Sequence, residues 1–408
     1  MKIRRTVRNA KELRTITGTE DKIWVVWGAG ERGWRFLRDV RRYNLEQVFI
    51  YDMDDNKMPC EKERIYLNTI KEMVDRIFWV ISVADKKMAY EIAEQIVDLG
   101  GAEEGIYRYV PEDYLYVAER LSKVGFYNGI SYQKTLEDSE AKALLEKSIL
   151  GEKPFLFARW GVVEGDLVYG VGDGMDMLTE WEVFVAKNNA GIYPSNMPAL
   201  RKFADIYADA ARYIDILCTI CGFVKLEDCY EWYSPNAVLV TRELLFPFWR
   251  EKSWTHVLKG KKVLVIHPFA KLIEEQYGKR RYLFEDPDIL PEMDLKVYRA
   301  VQSIGGNTEY ASWFDALAKM EQDISEIDFE IALIGCGAYG MPLGAFIKAE
   351  LRKKAIHLGG TLQLLFGIKG KRWEHPSYGF RLYNEHWVRP TEDLRPSNYK
   401  NVEDGCYW

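Results

Sequence analysis

The sequence predicts an α/β protein of two domains, each a mostly parallel sheet with helices on both faces. Three observations predict it. Near the N-terminus an apolar run, Ile23 to Trp27, enters a glycine turn, and a helical stretch and a second apolar run ending in an acid follow. Strand, turn, helix and strand form the repeating unit of a parallel sheet. From Phe155 to His357 short apolar runs alternate with helical stretches, the pattern of strands buried on both faces. Finally, 408 residues with 48% hydrophobic and 14% aromatic content exceed what one core organises, so two or three domains are expected.

Residues 1–20 carry Lys2, Arg4, Arg5, Arg8, Lys11 and Arg14 with no apolar stretch behind them. That is no secretory signal, and a solvated basic arm or short helix is expected. Residues 21–125 form a small Rossmann-like domain. Its strand Ile23 to Trp27 leads into Gly28-Ala29-Gly30-Glu31-Arg32-Gly33, a helix to about Tyr43, and the strand Val48 to Tyr51 before Asp52. A strand from Ile77 to Val83, a helix from Lys87 to Leu99 and the run Gly105 to Tyr109 complete it. This is room for one mononucleotide-binding half, too little for a complete dinucleotide. In the turn Gly28 permits the bend, Gly30 lets backbone N–H groups approach a phosphate, and Gly33 permits helix packing. Asp52 is placed to accept hydrogen bonds from a ribose. The rival reading is a turn that has the glycines and holds no ligand.

Composition turns polar around 117–133, and a second domain is expected over 126–408. It reads as a helix Thr135 to Leu150, a strand Phe155 to Ala158, helices near 162–170 and 180–187, and a long helix Pro198 to Cys221. Strands follow at Val263 to Ile266, Lys296 to Val301, Glu330 to Ile334 and Ala355 to His357, with helices at 269–278, Ala311 to Ile324 and Tyr339 to Lys353 between them. The apolar stretch Ile331 to Ile347 is broken by Gly335, Gly337, Gly340 and Gly344 and is too short to span a membrane.

Lys and Arg number 56 against 62 Asp and Glu, a net charge of −6, which provides no cationic excess for a nucleic-acid backbone. Six cysteines are too sparse for a disulfide scaffold and fit a reducing cytosol, so a cytoplasmic protein without a transmembrane segment is expected. Cys218, Cys221 and Cys229 hint at a metal, but no histidine lies near in sequence; buried thiols are the expectation.

Ligands of open α/β sheets bind at the carboxyl ends of the strands, and the candidate residues come from there. The segment FLFARWGVVEGD ends a strand in Arg159, turns at Gly161 and places Glu164 in the next helix. A guanidinium at that point can fork onto a diphosphate, and Glu164, with Asp166, can hold a divalent cation or a sugar hydroxyl. The rival reading is an Arg159–Glu164 ion pair that holds the turn. Gly335 and Gly337 let the main chain and the next helix N-terminus meet a phosphate, and His357, Gly359 and Gly360 follow the next strand. His267 follows the strand Val263 to Ile266, and Gln302 and Asn307 flank another strand end. The tail from Gly367 to Trp408 is rich in aromatic residues and supplies Glu374, His375, Glu385 and His386 as acid or base candidates.

Two resemblances organise these residues. VVWGAGERG with FIYDMDDN, within about 22–115, resembles the small Rossmann-like domains attached to sugar-modifying enzymes such as sugar O-acyltransferases, which implies a nucleotide-sugar site at Gly28, Gly30, Gly33 and Asp52. From about 130 to 408 the chain resembles the GT-D class of bacterial glycosyltransferases. The similarity is carried by Arg159-Trp160-Gly161-Val162-Val163-Glu164, by Asn189-Ala190-Gly191-Ile192-Tyr193-Pro194, by IALIGCGAYG from Ile331 to Gly340, and by AIHLGGTLQLLFG from Ala355 to Gly367. The family's Asp-x-Glu motif has Val162 in place of its first acid. The resemblance implies a hexosyltransferase of polysaccharide biosynthesis. Its donor would be a nucleoside-diphosphate sugar, a UDP-sugar, and its acceptor a glycan or glycolipid precursor reached through transient contact with a membrane surface. Arg159, Glu164, His267 and Glu374 would be catalytic. Asn189, Gly191, Gln302, Gly335, Gly337, His357, Gly359 and Gly360 would bind the donor, and Glu164 with Asp166 would hold Mn²⁺ or Mg²⁺. The alternative is a non-catalytic nucleotide-sugar-binding or scaffold protein.

Overall fold

The computed structural model describes residues 5–16, 22–29, 32–33, 36–37, 40, 45–53, 64–83, 86–110, 135–171, 180–220, 224–249, 252–374, 382–402 and 405–408. The chain divides into two compact units, one of Met1–Tyr127 with Gly170–Glu182, the other of Asn128–Tyr169 with Val183–Trp408. Each is α/β, built on one parallel sheet.

The first unit contains β1 (Arg5–Val7), β2 (Ile23–Trp27), β3 (Val48–Tyr51), β4 (Ile77–Ile81) and β5 (Ile106–Tyr109) in the order β1-β5-β4-β2-β3. Every residue of β2 is buried. Successive side chains of a strand point to opposite faces, so Trp24 and Val26 enter one core with Phe36 and Tyr109, while Ile23, Val25 and Trp27 enter the other with Trp79 and Ile92. Of the expected solvated arm or short helix, residues 5–16 contain a short helix, Ala10–Thr15, but are tied down and not solvated throughout. Arg5–Val7 pairs in parallel with β5, and Val7, Ala10 and Leu13 are buried. Three apolar side chains at spacing three supply one buried face, and the basic residues between them stay outside.

The second unit contains β6 (Leu156–Arg159), β7 (Ile216–Cys218), β8 (Val238–Val240), β9 (Lys262–His267), β10 (Asp294–Arg299), β11 (Ile331–Ile334) and β12 (Lys354–His357), in the order β10-β9-β11-β12-β6-β7-β8, with every pairing parallel. The expected helix Pro198 to Cys221 is two elements. Asn196 caps a helix, Met197–Ala211, by accepting from Ala199 N–H at 3.0 Å. The chain then turns, and Asp215 accepts from Leu156 N–H at 2.8 Å to seat β7 beside β6. Ile216 and Leu217 fill the core as a strand because both faces of that sheet are covered. Cys218 and Cys229 are buried thiols whose sulfurs lie near backbone carbonyls; Cys221 lies outside the described residues.

Strand order decides where a ligand can enter. The chain leaves β9 for β10 on one side of the sheet and leaves β11 for β12 on the other. Adjacent strands whose connections diverge open a crevice at their carboxyl ends. The helix Gly340–Ala349 after β11 packs against the sheet closely enough that a Cβ on Gly344 would lie 2.7 Å from Leu156 Cδ1. No described helix is long and apolar enough to cross a membrane.

Candidate functional site

A cleft of about 390 Å³ lies at that crevice, lined by the residues that end β6, β9, β11 and β12. Ten sequence candidates meet there: Arg159, Glu164, Asn189, His267, Gln302, Gly335, Gly337, His357, Gly359 and Gly360.

Arg159 ends β6, and its Nε is buried with no hydrogen-bond partner among the described residues. Gly359, whose φ of +64° favours glycine, carries the β12 loop past Arg159, its Cβ position lying at ordinary contact distance, 3.5 Å, from Arg159 Nε. Trp160 is fully buried and meets Tyr207 edge-on at 5.3 Å. At Gly161 a Cβ would fall 1.7 Å from Glu164 Oε2, so glycine is needed for the carboxylate to fold over the turn. Burial pushes the Glu164 carboxyl above its usual range, opposed by its own backbone N–H and by attraction to Arg159 across the turn. Arg159 and Glu164 interact electrostatically without closing an ion pair. The Tyr207 hydroxyl accepts from Gly161 N–H at 3.4 Å, and burial holds its pKa well above the ordinary value, with Glu164 adding to the shift.

The β12 side supplies His357, 3% exposed, whose Nδ1 is buried without a partner among the described residues. Burial, reinforced by Arg159, lowers its pKa to about 3. From β9 comes His267, 4% exposed, lowered to about 3 by burial. Both imidazoles are therefore neutral near pH 7. Between these strands, a Cβ on Gly335 would meet Gly359 O at 2.7 Å and His267 Cδ2 at 2.9 Å, whereas Gly337 has φ +60° and open space around it. Gly335 is required for close approach, Gly337 for the left-handed backbone that opens the helical turn Gly337–Tyr339.

Asn189 belongs to the wide helical turn Ala186–Ala190. Gly191, expected to bind ligand, does not line the cleft; its Cβ would meet the Ser303 and Ile304 backbone at 2.6 Å, so it packs the Asn189 turn against the Gln302 loop. Asp166 does not line the cleft either; only the first residues of its helix, Val162, Val163 and Glu164, reach it. Glu374 pairs with Arg389 away from the cleft, and His375 lies outside the described residues. His256 Nδ1 bonds the Ser253 carbonyl at 2.7 Å.

Sequence reasoning missed Tyr207, Ser303, Cys336, Tyr339 and Arg372, and pointed to Tyr407 only as one of the tail's aromatic residues. Arg372 Nη1 donates to the Tyr407 hydroxyl at 3.2 Å, and its guanidinium lies 4.7 Å from that ring. The aromatic content of the tail was a signal for Tyr407. Nothing near Arg372 in sequence marks it as a cleft residue, and two of its partners, Tyr407 and Cys406, lie over thirty positions away.

Among the described residues no three His, Cys, Asp or Glu side chains gather as a metal-binding group. With Val162 in place of the motif's first acid, Asp166 turned aside and Glu164 folded onto Gly161, these donors do not fit Mn²⁺ or Mg²⁺.

In the first unit, Gly33 crosses Gly28 so closely that a Cβ would lie 1.8 Å from Gly28 O. Asp52 Oδ2 accepts from Ala29 N–H at 2.7 Å, so the acid expected on a ribose is turned onto the glycine turn itself. Gly30 lies outside the described residues.

No family model and no curated protein matches the chain. One solved structure, of a selenomethionine-substituted domain of unknown function 1792 (DUF1792), is similar at 13% identity, covering 61% of this chain and 99% of that chain, with a TM-score of 0.30. A score that low carries no argument, and the functional reading rests on the cleft.

Proposed function

We propose that the second unit is a cytoplasmic glycosyltransferase domain that moves a hexose from a nucleoside-diphosphate sugar, a UDP-sugar, to a glycan or glycolipid precursor. The observation that supports it most is Arg159, a strand-end arginine in a cleft with a buried Nε–H that no described residue satisfies. An unpaired buried donor is costly, and a ligand oxygen offsets that cost. Beside it lie the glycine turn at Gly335 to Gly337 and two neutral imidazoles, the donor-rich surroundings a diphosphate needs.

Transfer forms a bond from the acceptor hydroxyl oxygen to the anomeric carbon and breaks the bond between that carbon and the diphosphate oxygen; the hydroxyl proton leaves to solvent, and negative charge builds on the departing oxygen. Arg159 and the N–H groups near Gly337 bind the leaving diphosphate, more strongly as its charge grows, which is the condition for catalysis by differential binding. Glu164 is the one carboxyl among the described lining residues, and its role is to accept a hydrogen bond from a sugar hydroxyl.

The test is a thermal-shift screen against nucleoside diphosphates and their sugars, followed by transfer of labelled hexose. A UDP-sugar is expected to raise the melting temperature of the wild type. No response to any nucleotide-sugar sinks the proposal. One observation favours a binding or scaffold role instead: Glu164 is folded onto Gly161 and its ionised form is disfavoured. A dissociation constant without product under any acceptor would select that second reading.

A further inference from the structure

His267 closes β9 and is followed by Pro268, which has no backbone N–H, so the first main-chain donor beyond the strand is that of Phe269. That N–H turns back and donates to His267 Nδ1 at 3.0 Å. A ring nitrogen that accepts carries no proton, so the neutral imidazole has its proton on Nε2. Protonating the ring would set an Nδ1–H against the Phe269 N–H, two donors facing one another in a buried site. Gly335 holds the ring from the neighbouring strand, since a Cβ there would lie 2.9 Å from His267 Cδ2. The ring lines the cleft, and Nε2 has no hydrogen-bond partner among the described residues.

Resting on the reading of the cleft above, we propose that His267 is a permanently neutral hydrogen-bond donor, acting through Nε2–H on an anionic oxygen of the bound diphosphate ester, and that it does not serve as a general base. The other ionisable groups lining the cleft agree with this division of labour. Arg159 and Arg372 supply charge, His357 is held neutral by burial and Arg159, the Cys336 thiol is pushed up by burial, and Glu164 is raised. Burial alone keeps His267 neutral, in the same direction as the bond to Phe269. The histidine therefore contributes a donor of fixed direction and no charge, and binding does not depend on its titration.

The experiment uses the full chain and UDP-glucose. A diphosphate esterified at both ends lacks the second ionisation near about pH 6 of a phosphate monoester, so the probe keeps its charge while the protein is titrated. Calorimetric Kd values from about pH 5.5 to 8.5 are expected to follow the same profile, within about threefold, in wild type and His267→Gln, since a histidine held near 3 gains no proton in that range and any dependence carried by Glu164 is common to both. ¹⁵N-histidine spectra of the unliganded wild type at neutral pH are expected to show the Nε2–H tautomer for His267. His267→Gln, whose amide nitrogen reaches the place of Nε2, is expected to bind within about fivefold of wild type. His267→Asn and His267→Ala should bind about 10 to 100-fold more weakly, the loss of one donor to a charged group.

Tightening of tenfold or more on acidification that His267→Gln abolishes would overturn the proposal. So would an Nδ1–H tautomer or an imidazolium in the wild-type spectrum, or a Gln variant no better than the Ala variant. If the variants do not fold, the wild-type spectrum and pH series decide alone. Failure of UDP-glucose and every other nucleoside-diphosphate sugar to bind removes the glycosyltransferase reading and this proposal with it, whereas binding combined with any of the preceding results defeats this proposal only.

Discussion

The carboxylate of Glu164 occupies the space a Gly161 side chain would need, and the two residues work as one device at the end of β6. Because burial raises the Glu164 pKa, the folded state disfavours its charge, and this residue makes stability fall as pH rises above the ordinary carboxylate range. Glu164→Gln is therefore expected to raise the melting temperature more at pH 8 than at pH 4, while weakening transfer of the sugar; a variant less stable than wild type at pH 8 contradicts the electrostatic account. Arg159 carries the opposite expectation. It has no described partner at Nε, so Arg159→Lys removes the fork with little structural loss. We expect kcat to fall by about 10 to 1,000-fold, as for one preorganised donor, with the melting temperature nearly unchanged. A sharp drop in melting temperature with unchanged turnover per folded molecule would make Arg159 a structural residue.

Among elements, the glycine turn after β2 shows how a ligand-like motif can be consumed by packing. Gly33 lies on the Gly28 carbonyl, Ser82 Oγ donates to that carbonyl at 2.7 Å, and Asp52 takes the Ala29 N–H. Gly33→Ala has no room against backbone and is expected to destabilise the first unit by about 1–3 kcal/mol, read by urea unfolding. Asp52→Ala is expected to cost about 1–2 kcal/mol through its charge-assisted bond and to leave nucleotide affinity of the full chain unchanged. Loss of affinity without loss of stability would return Asp52 to a ribose. In the second unit the turn after β11 repeats the spacing as Gly335, Gly337 and Gly340, and its third glycine lies against a side chain instead of a backbone carbonyl, since a Cβ on Gly340 would fall 2.3 Å from His357 Nε2.

Over the whole molecule, buried ionisable groups set the response to acid. His267 and His357 have folded pKa values of about 3 against an ordinary 6.5. A depressed value means the unfolded chain binds more protons between those limits, so stability present above pH 6.5 is lost as pH falls towards 3. Each histidine contributes a slope approaching about 1.4 kcal/mol per pH unit, partly offset by Glu164. Chemical unfolding at successive pH values should therefore show the second unit weakening below pH 6, and His357→Gln should flatten that dependence. An unchanged slope in the variant would place the acid sensitivity elsewhere.

Local pattern in the sequence was enough to mark the α/β class, most strand positions, and the strand-end residues Arg159, His267, Gly335 and His357. Apolar runs and glycine turns are properties of near neighbours, and a parallel sheet sends each strand's last residue to the same edge. Tertiary structure decided what depends on distant partners. The short strand β7 forms where neighbouring strands and covering helices bury it, against a helical-looking pattern, and β8, which no sequence expectation covered, pairs with it at the sheet edge. Arg372 and Tyr407 reach the cleft because the tail folds back on the sheet, while Glu374, two residues from Arg372, pairs with Arg389 instead. Even for His267 the sequence supplied the position only. Its tautomer comes from one N–H in the turn that follows, and its exposure to a ligand comes from the strand order that opens the crevice between β9 and β11.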